Sequence, residues 1–252
     1  MAHFCSQCRY QYPNTVIQQT VPEDQRCPQC GSSSVSVEAP AGHAAVSAPL
    51  SDTVDIKITA HLWPCWAGIA IDRALVARRA RERAEALPVS AAESYALGEE
   101  FDASLVAVAA SAHALDALYG SLVVRAAVQG RKLGENRHSN IREALKLVFV
   151  SGPFNADWIA DFEWLFDLRD AAVHHEEKPK KTVSHPSLGT HTGPEYVDYS
   201  TGSADKAVTL MLDVLRWCVD NPKPAVPDAR TWAEANRPVV ADLESRVLSE
   251  RG

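Results

Sequence analysis

Apolar residues recur every three or four positions along most of the chain after residue 60, which is the spacing that one face of an α-helix requires. The longest regular run covers residues 91–128, and its apolar positions alternate in steps of four and three: Phe101, Leu105, Val108, Ala112, Leu115, Tyr119, Leu122 and Ala126. Runs of the same period cover residues 64–87, 140–150, 154–177, 203–219 and 229–247. We therefore predict a mainly α fold in which residues 52–252 form a helical bundle.

The run over residues 154–177 is predicted to be one helix, with Asn155 as its N-cap. Arg169 falls within the apolar stripe of this helix. A cation in that position must be paired or face a cavity, because burying it alone costs several kcal/mol. Asp170 and His174 are four positions apart, so the carboxylate can orient the imidazole. The C-terminal end of this helix is therefore the first place to look for chemistry.

Two CxxC pairs near the N-terminus predict a small module of a different kind. Cys5 and Cys8 are separated by 18 residues from Cys27 and Cys30, a spacing suited to a tetrahedral zinc ion bound by four thiolates. Residues 1–38 resemble a zinc ribbon, a small β module that needs the binding energy of its metal to fold. Four thiolates leave no open position for water, so we expect the zinc to be structural. A pair of disulfides is the alternative, and the lack of a secretory signal pattern disfavours it.

Composition narrows the cellular setting and the partners. Residues 39–51 are rich in Ala, Pro and Ser and carry no charge, as expected of a linker. The formal net charge of −7 argues against a surface coated for nucleic acid, and the ribbon has only two basic residues, so a protein partner suits it better. No apolar run is long enough to span a bilayer, which predicts a cytoplasmic protein without membrane contacts. Cys65 and Cys218 lie among apolar residues and are predicted to be buried.

Two stretches concentrate positive charge. The predicted helix over residues 64–87 contains five arginines, which form either a solvated face paired with glutamates or a ridge facing phosphate. Residues 176–200 lack helical period, carry several lysines and histidines, and begin where the 154–177 helix ends. Long segments of this kind are often functional. Within residues 176–200, the stretches 182–184 and 196–199 are predicted to pair as a small hairpin.

The segment LRDAAVHH, residues 168–175, resembles the Arg-x4–6-His motif of HEPN domains. These are helical bundles found in many prokaryotic toxins, antiviral defence proteins and RNA-processing enzymes. In that family a polar residue often follows the arginine, the motif lies near the end of a late helix, and another helix follows. Asp170 and the apolar run over 204–219 fit this arrangement. The resemblance covers about residues 91–220, leaving the ribbon and the last helix outside it.

The resemblance implies a metal-independent RNA endonuclease, in which the 2′-OH attacks the adjacent phosphodiester and leaves a 2′,3′-cyclic phosphate. Arg169 would stabilise the phosphate oxygens, His174 would exchange a proton, and Asp170 would orient it. Basic residues after the motif would bind the substrate: His175, Lys178, Lys180 and Lys181. Positions five apart differ by about 140° around an ideal helix, so Arg169 and His174 of one chain diverge. The family resolves this with a homodimer, which the hypothesis therefore predicts.

Two other interpretations remain open. In the first, the bundle is a non-catalytic binding or scaffold protein whose ribbon mediates protein or nucleic-acid interaction. Arg169 would then be paired with an acidic residue such as Asp116 or Asp167, and His174 would cap the helix. The second is a metal site built from His174, His175, His185 and His191, although their spacing is irregular. The sequence contains neither a nucleophile elbow nor a phosphate-cradling glycine loop.

Overall fold

The chain divides into two compact units, Met1–Lys57 and Ile58–Gly252. The computed structural model describes residues 2–5, 35–38, 62–86, 91–125, 133–155, 158–174, 181–185 and 191–249. In the first unit, strand β1 (Ala2–Cys5) pairs antiparallel with β2 (Val35–Glu38), and Cys5 stands opposite Val35. The other three predicted zinc ligands, Cys8, Cys27 and Cys30, lie outside the described residues, as does the predicted linker.

The described part of the second unit is predominantly helical, which confirms the predicted bundle. Its elements, in chain order, are α1 (Trp63–Ala86), α2 (Ala91–Arg125), α3 (Arg137–Val148), α4 (Ile159–Val173), β3 (Val183–Ser184), β4 (His191–Thr192), α5 (Pro194–Asp198), α6 (Thr201–Asp220) and α7 (Pro227–Ser249). Helix α2 is central and packs against α1, α3, α4 and α6, while α7 covers α1 and α6.

Buried alanines join α1 to α2. On α1 they follow the three-and-four spacing of one helix face: Ala67, Ala70, Ala74, Ala77, Ala80 and Ala84. Because side-chain size sets how closely two helices approach, these small residues favour close packing. The expectation that no apolar run is long enough to span a bilayer is wrong by length and composition, because the stretch Ala96–Leu122 of α2 qualifies, and half of it is buried inside the bundle. That burial is what a central core helix requires.

Several predicted boundaries are wrong for reasons of local packing. Helix α3 begins after Asn136, which forms a reciprocal capping box with Ser139. The predicted cap, Asn140, instead accepts the backbone N–H groups of Leu133 and Gly134 at 2.8 and 2.9 Å. The N-cap position of the next helix is Trp158 and not Asn155, which belongs to a separate 3-10 turn over Gly152–Asn155.

The predicted 154–177 helix is shorter than its apolar pattern suggests, since α4 covers only Ile159–Val173. The preceding 3-10 turn begins at Gly152, where a Cβ atom would stand 2.4 Å from the ring of Trp217. Only glycine permits that approach. Phe154 in the same turn is fully buried, so its apolar character reflects the core rather than helix α4.

Two further local predictions also need correction. Strand β3 pairs with β4 (His191–Thr192) and not with residues 196–199, because Tyr196 lies in the short helix α5. Cys65 is exposed, whereas Cys218 is buried as predicted.

Candidate functional site

Helix α4 carries the motif and is held in place by packing in the core and by a hydrogen bond near its C-terminal end. Phe162, Leu165 and Phe166 are buried in the core. Near its C-terminal end, the hydroxyl of Tyr199 donates a hydrogen bond to the carbonyl of Leu168 at 2.7 Å. The helix ends at His174, whose backbone N–H still bonds the carbonyl of Asp170 at 2.8 Å. The motif residues therefore lie on the last turn of a well-anchored helix.

Arg169 is largely buried and paired, as its place in the apolar stripe predicts. Only 15% of its side chain is exposed. Its Nε donates to Asp170 Oδ1 at 2.9 Å, and Nη1 lies 3.7 Å from Asp116 Oδ2. The guanidinium also stacks over Phe166 at 4.9 Å from the ring centroid. One carboxylate from α2 and one from α4 thus hold the cation at the edge of the core.

Asp116 on α2 joins Arg169 to a second arginine. It accepts a hydrogen bond from Arg137 Nε on α3 at 2.8 Å. The guanidinium of Arg137 in turn lies over the ring of Tyr119, 4.5 Å from its centroid. We call Asp116, Arg137, Arg169 and Asp170 the Asp116 cluster. It brings two cations and two carboxylates from three helices to one exposed or half-buried surface.

His113 belongs to the surroundings of this cluster, although no site predicted from the sequence includes it. It lies one turn before Asp116 on α2, and its ring contacts Trp66 with centroids 4.9 Å apart. Burial and, secondarily, the positive charge of Arg169 lower the pKa of His113, while Asp116 opposes that shift. The spacing of three between His113 and Asp116 was the available sequence signal. The neutral imidazole is therefore the favoured form beside Arg169.

His174 occupies the exposed C-cap of α4, and its side chain makes no hydrogen bond to any residue that the structure describes. Asp170 binds Arg169, where its spacing of four had predicted that it would orient His174. The backbone explains the difference, because His174 has φ −114° and ψ 44° and has already left helical geometry. A charge-assisted bond to the adjacent guanidinium is then the better contact for Asp170.

Only some of the other predicted site residues lie in the part of the chain that the structure describes. Lys181 is exposed beside β3. His175, Lys178 and Lys180 lie outside the described residues. Within the described part of the chain, no three His, Cys, Asp or Glu side chains are grouped to hold a metal ion. His191 is exposed and His185 is buried, so these two predicted ligands of a histidine site stand in different environments.

His185 instead belongs to a second polar group, which is buried. Arg81 on α1 donates through Nη1 to His185 Nδ1 at 3.2 Å. Arginine has only donors, so Nδ1 must be the unprotonated nitrogen. Glu100 on α2 lies 3.6 Å from the same Nη1 and accepts the backbone N–H and the hydroxyl of Thr201 at 2.9 and 2.7 Å. We call Arg81, Glu100, His185 and Thr201 the Glu100 cluster.

The arginine ridge predicted on α1 is mostly engaged in ion pairs within the bundle. Arg78 pairs with Asp205 on α6 at 2.9 Å, and Arg83 pairs with Glu99 on α2 at 2.5 Å. Arg81 adds a bond to Glu85 at 2.9 Å. These contacts favour the interpretation of a paired helix face over that of a ridge facing phosphate.

No protein-family model matches this chain, and comparisons with curated proteins and with solved structures find no significant match.

Proposed function

We propose that the protein is a metal-independent RNA endonuclease of the HEPN type that acts at the end of α4. The observation that carries the proposal is the state of Arg169. Asp116 and Phe166 hold the guanidinium from within the bundle, while on the outer side it is covered by Asp170, whose side chain is 57% exposed. An ion pair with an exposed carboxylate contributes only about 0–1 kcal/mol. An RNA phosphate can therefore replace Asp170 as the partner of Arg169 while the helical bundle stays folded.

The chemistry needs no metal ion. The 2′-oxygen forms a bond to phosphorus while the bond from phosphorus to the 5′-oxygen breaks. Arg169 donates hydrogen bonds to the non-bridging oxygens, whose negative charge grows in the transition state. His174, exposed at the helix end, takes the 2′-OH proton or supplies one to the 5′-oxygen. Lys181 and the basic residues His175, Lys178 and Lys180 are the candidate contacts for neighbouring phosphates.

A homodimer completes the proposed site. In one chain, Arg169 extends toward Asp116 while His174 stands at the C-cap, so the two side chains do not converge. A two-fold axis near the end of α4 would bring Arg169 of one subunit toward His174 of the other. If so, a mixture of Arg169→Ala and His174→Ala chains regains about a quarter of wild-type activity, because half of the dimers then contain one of two intact sites. A mixture as inactive as its parents would contradict the shared site.

The cleavage assay itself uses purified protein and total RNA. Wild type should cleave the RNA, and His174→Ala should not. His191→Ala is the matched control, because His191 is also exposed and lies on β4. Equal cleavage by wild type and His174→Ala, or none by either across varied RNAs, would remove the proposed mechanism.

The proposed zinc ribbon has a structural role. Cys5, which begins the first CxxC pair, stands opposite Val35 in the β1–β2 pairing, and Val35 follows Cys30 by five residues in the sequence. Four thiolates would close the coordination of zinc there. About one zinc per chain is expected by metal analysis, and Cys27→Ser should abolish it. Full zinc content in that variant would contradict the ligand set.

The second candidate is a non-catalytic binding or scaffold protein, with the ribbon as its interaction end. It is favoured by the fact that Asp116 and Asp170 both engage Arg169. On this account both carboxylates are lasting partners of the cation. Asp170→Ala distinguishes the two candidates: it exposes Arg169 and keeps RNA cleavage in the ribonuclease, whereas in the scaffold protein it produces no cleavage.

A further inference from the structure

The proposed reaction needs two proton transfers, and the motif supplies a group for only one of them. The 2′-OH must lose a proton, and the leaving 5′-oxygen must gain one. These two oxygens lie on opposite sides of phosphorus in an in-line displacement, so His174 can serve only one of them. Arg169 keeps its protons in a protein and can serve neither. A second acid–base group is therefore expected close to Arg169.

His113 stands beside Arg169 in the same chain. It precedes Asp116 by three positions on α2, and residues three apart are neighbours on a helix surface. Asp116 Oδ2 in turn lies 3.7 Å from Arg169 Nη1, and the charge of Arg169 reaches the imidazole of His113. One face of α2 thus carries both the carboxylate that holds the arginine and an imidazole next to it.

The imidazole of His113 is held by packing and open to a substrate. Its ring contacts Trp66 of α1, with the centroids 4.9 Å apart. Neither ring nitrogen is hydrogen-bonded to a residue that the structure describes, and neither is sealed from solvent. His138, a half-buried histidine of α3, differs in that its Nδ1 is buried without a partner. His113 can therefore present a nitrogen to a ligand at the surface of the cluster.

The surroundings of His113 favour the neutral form that a general base requires. Burial lowers the pKa of His113, and the charge of Arg169 on α4 lowers it further. Asp116, on the same helix as His113, opposes this shift, while Trp66 packs from α1 and carries no charge. At neutral pH the imidazole is therefore unprotonated and able to take a proton.

We propose that His113 is the general base of the proposed ribonuclease, acting with Arg169 of its own chain, and that His174 of the other subunit is the general acid. The 2′-OH proton passes to His113 as the 2′-oxygen bonds to phosphorus. The 5′-oxygen takes a proton from His174 as its bond to phosphorus breaks. His113 then releases its proton to water, and His174 regains one. This assignment rests on the proposed function, because it concerns the same cleavage.

Mixing of full-length chains tests whether His113 and Arg169 of one subunit act together. Alone, His113→Ala should cleave RNA at least about a hundredfold more slowly than wild type, as expected when one acid–base group is lost. Mixed with His174→Ala chains, it should recover about a quarter of wild-type activity, because half of the dimers then contain one intact site of two. Mixed with Arg169→Ala chains, it should recover none, because every site then lacks Arg169 or His113. Recovery in the first mixture also shows that His113→Ala chains fold and dimerise.

An RNA in which sulfur replaces the leaving 5′-oxygen distinguishes the base from the acid. A thiolate leaves without a proton, so this substrate needs a general base and no general acid. His174→Ala should cleave it within about threefold of the wild-type rate, whereas His113→Ala should stay at least about a hundredfold slower. A structural role for His113 would not produce this dependence on the leaving group.

His138→Ala is the matched control, since His138 is also half-buried and follows Arg137 of the cluster. It should cleave both substrates like wild type. If wild type cleaves RNA and His113→Ala cleaves it equally well, or recovers activity with Arg169→Ala, His113 is not the base and the proposed function stands. Rescue of His113→Ala by the sulfur substrate would likewise overturn its role as base. If wild type cleaves neither substrate, the proposed function and this assignment fall together.

Discussion

The Glu100 cluster and the Asp116 cluster both pair an arginine with a carboxylate of α2, and they differ in their access to solvent. Each joins an arginine to a carboxylate of α2 with a histidine nearby, and the two carboxylates are 16 positions apart, about 24 Å along the helix. The Arg81 and Glu100 side chains are 8% and 3% exposed, whereas Asp170 in the other cluster is 57% exposed. Arginine, acid and histidine together therefore do not define a functional site. The Asp116 cluster is the more exposed of the two, because Arg137 and Asp170 both face solvent.

The largest expected effect comes from breaking the buried cluster. Glu100→Ala leaves Arg81 with only the exposed carboxylate of Glu85 and removes the acceptor of the Thr201 N–H, and breaking a buried ion pair costs about 3–5 kcal/mol. The adjacent Glu99→Ala, which breaks the exposed pair with Arg83, should cost no more than about 1 kcal/mol. Denaturant unfolding measures both. Similar losses in the two variants would show that the Glu100 cluster is not the structural one.

A substitution in the Asp116 cluster should reduce RNA cleavage more than it reduces the free energy of unfolding. Asp116→Asn removes the charge that holds Arg169 from α2, and misplacement of a catalytic group by about 1 Å can reduce turnover up to about a hundredfold. We expect RNA cleavage to fall between tenfold and a hundredfold by that reasoning, with about 1 kcal/mol lost from the free energy of unfolding.

Asp72→Asn is the matched control for Asp116→Asn, because Asp72 also pairs with an arginine, Arg246, at the surface. It should leave cleavage unchanged. An equal loss of cleavage in both variants would mean that Asp116 has no special part in positioning Arg169.

Acidic pH should lower the free energy of unfolding through His185 in the Glu100 cluster. Burial and, secondarily, the charge of Arg81 lower the pKa of His185, with Glu100 opposing. The unfolded chain then binds its proton more readily than the folded one, so the stabilisation is complete above about pH 6.5, the ordinary histidine value, and is lost as the pH falls toward the lowered pKa. His113 acts in the same direction. Unfolding free energy should therefore decline below pH 6.5, less steeply in His185→Gln. An identical slope in that variant would refute the role of His185.

The smallest expected effect is at Arg137. Its contacts with Asp116 and the Tyr119 ring are exposed, and a cation–π contact at such a site contributes about 0.5–1 kcal/mol. Arg137→Ala should lower the free energy of unfolding by about that amount and preserve most of the cleavage. If Arg137→Ala lost as much cleavage activity as Arg169→Ala, the phosphate contact would have to be assigned to Arg137.

The helical periodicity of the sequence predicted the features that depend on residues close together in the chain. The order of the long helices, the apolar face of α4 and the pairing of Arg169 all follow from residues within a few turns of each other. Asp116 was one of two acidic partners suggested for Arg169, and it lies 53 positions away in the sequence. The sequence alone could not choose it over Asp167, because that choice depends on how α2 and α4 cross.

The failed predictions depend on contacts that the apolar pattern of the sequence does not record. Asp170 has two basic neighbours within reach, and the end of the helix decides between them by moving His174 out of helical geometry. Ser139 and Asn136 share a capping box that leaves Asn140 for the preceding loop. His185 looked like a loop residue, yet it is buried because Arg81 and Glu100 stand where residue 185 meets the bundle.

The chemistry of the RNA ends tests the central claim most directly. Total RNA is incubated with wild type and His174→Ala in magnesium-free buffer, and the new 3′ ends are identified. Attack by the 2′-OH predicts 2′,3′-cyclic phosphates with wild type and none with His174→Ala. Ends carrying a 3′-hydroxyl, or cyclic phosphates formed equally by both proteins, would contradict cleavage by Arg169 and His174 at the end of α4.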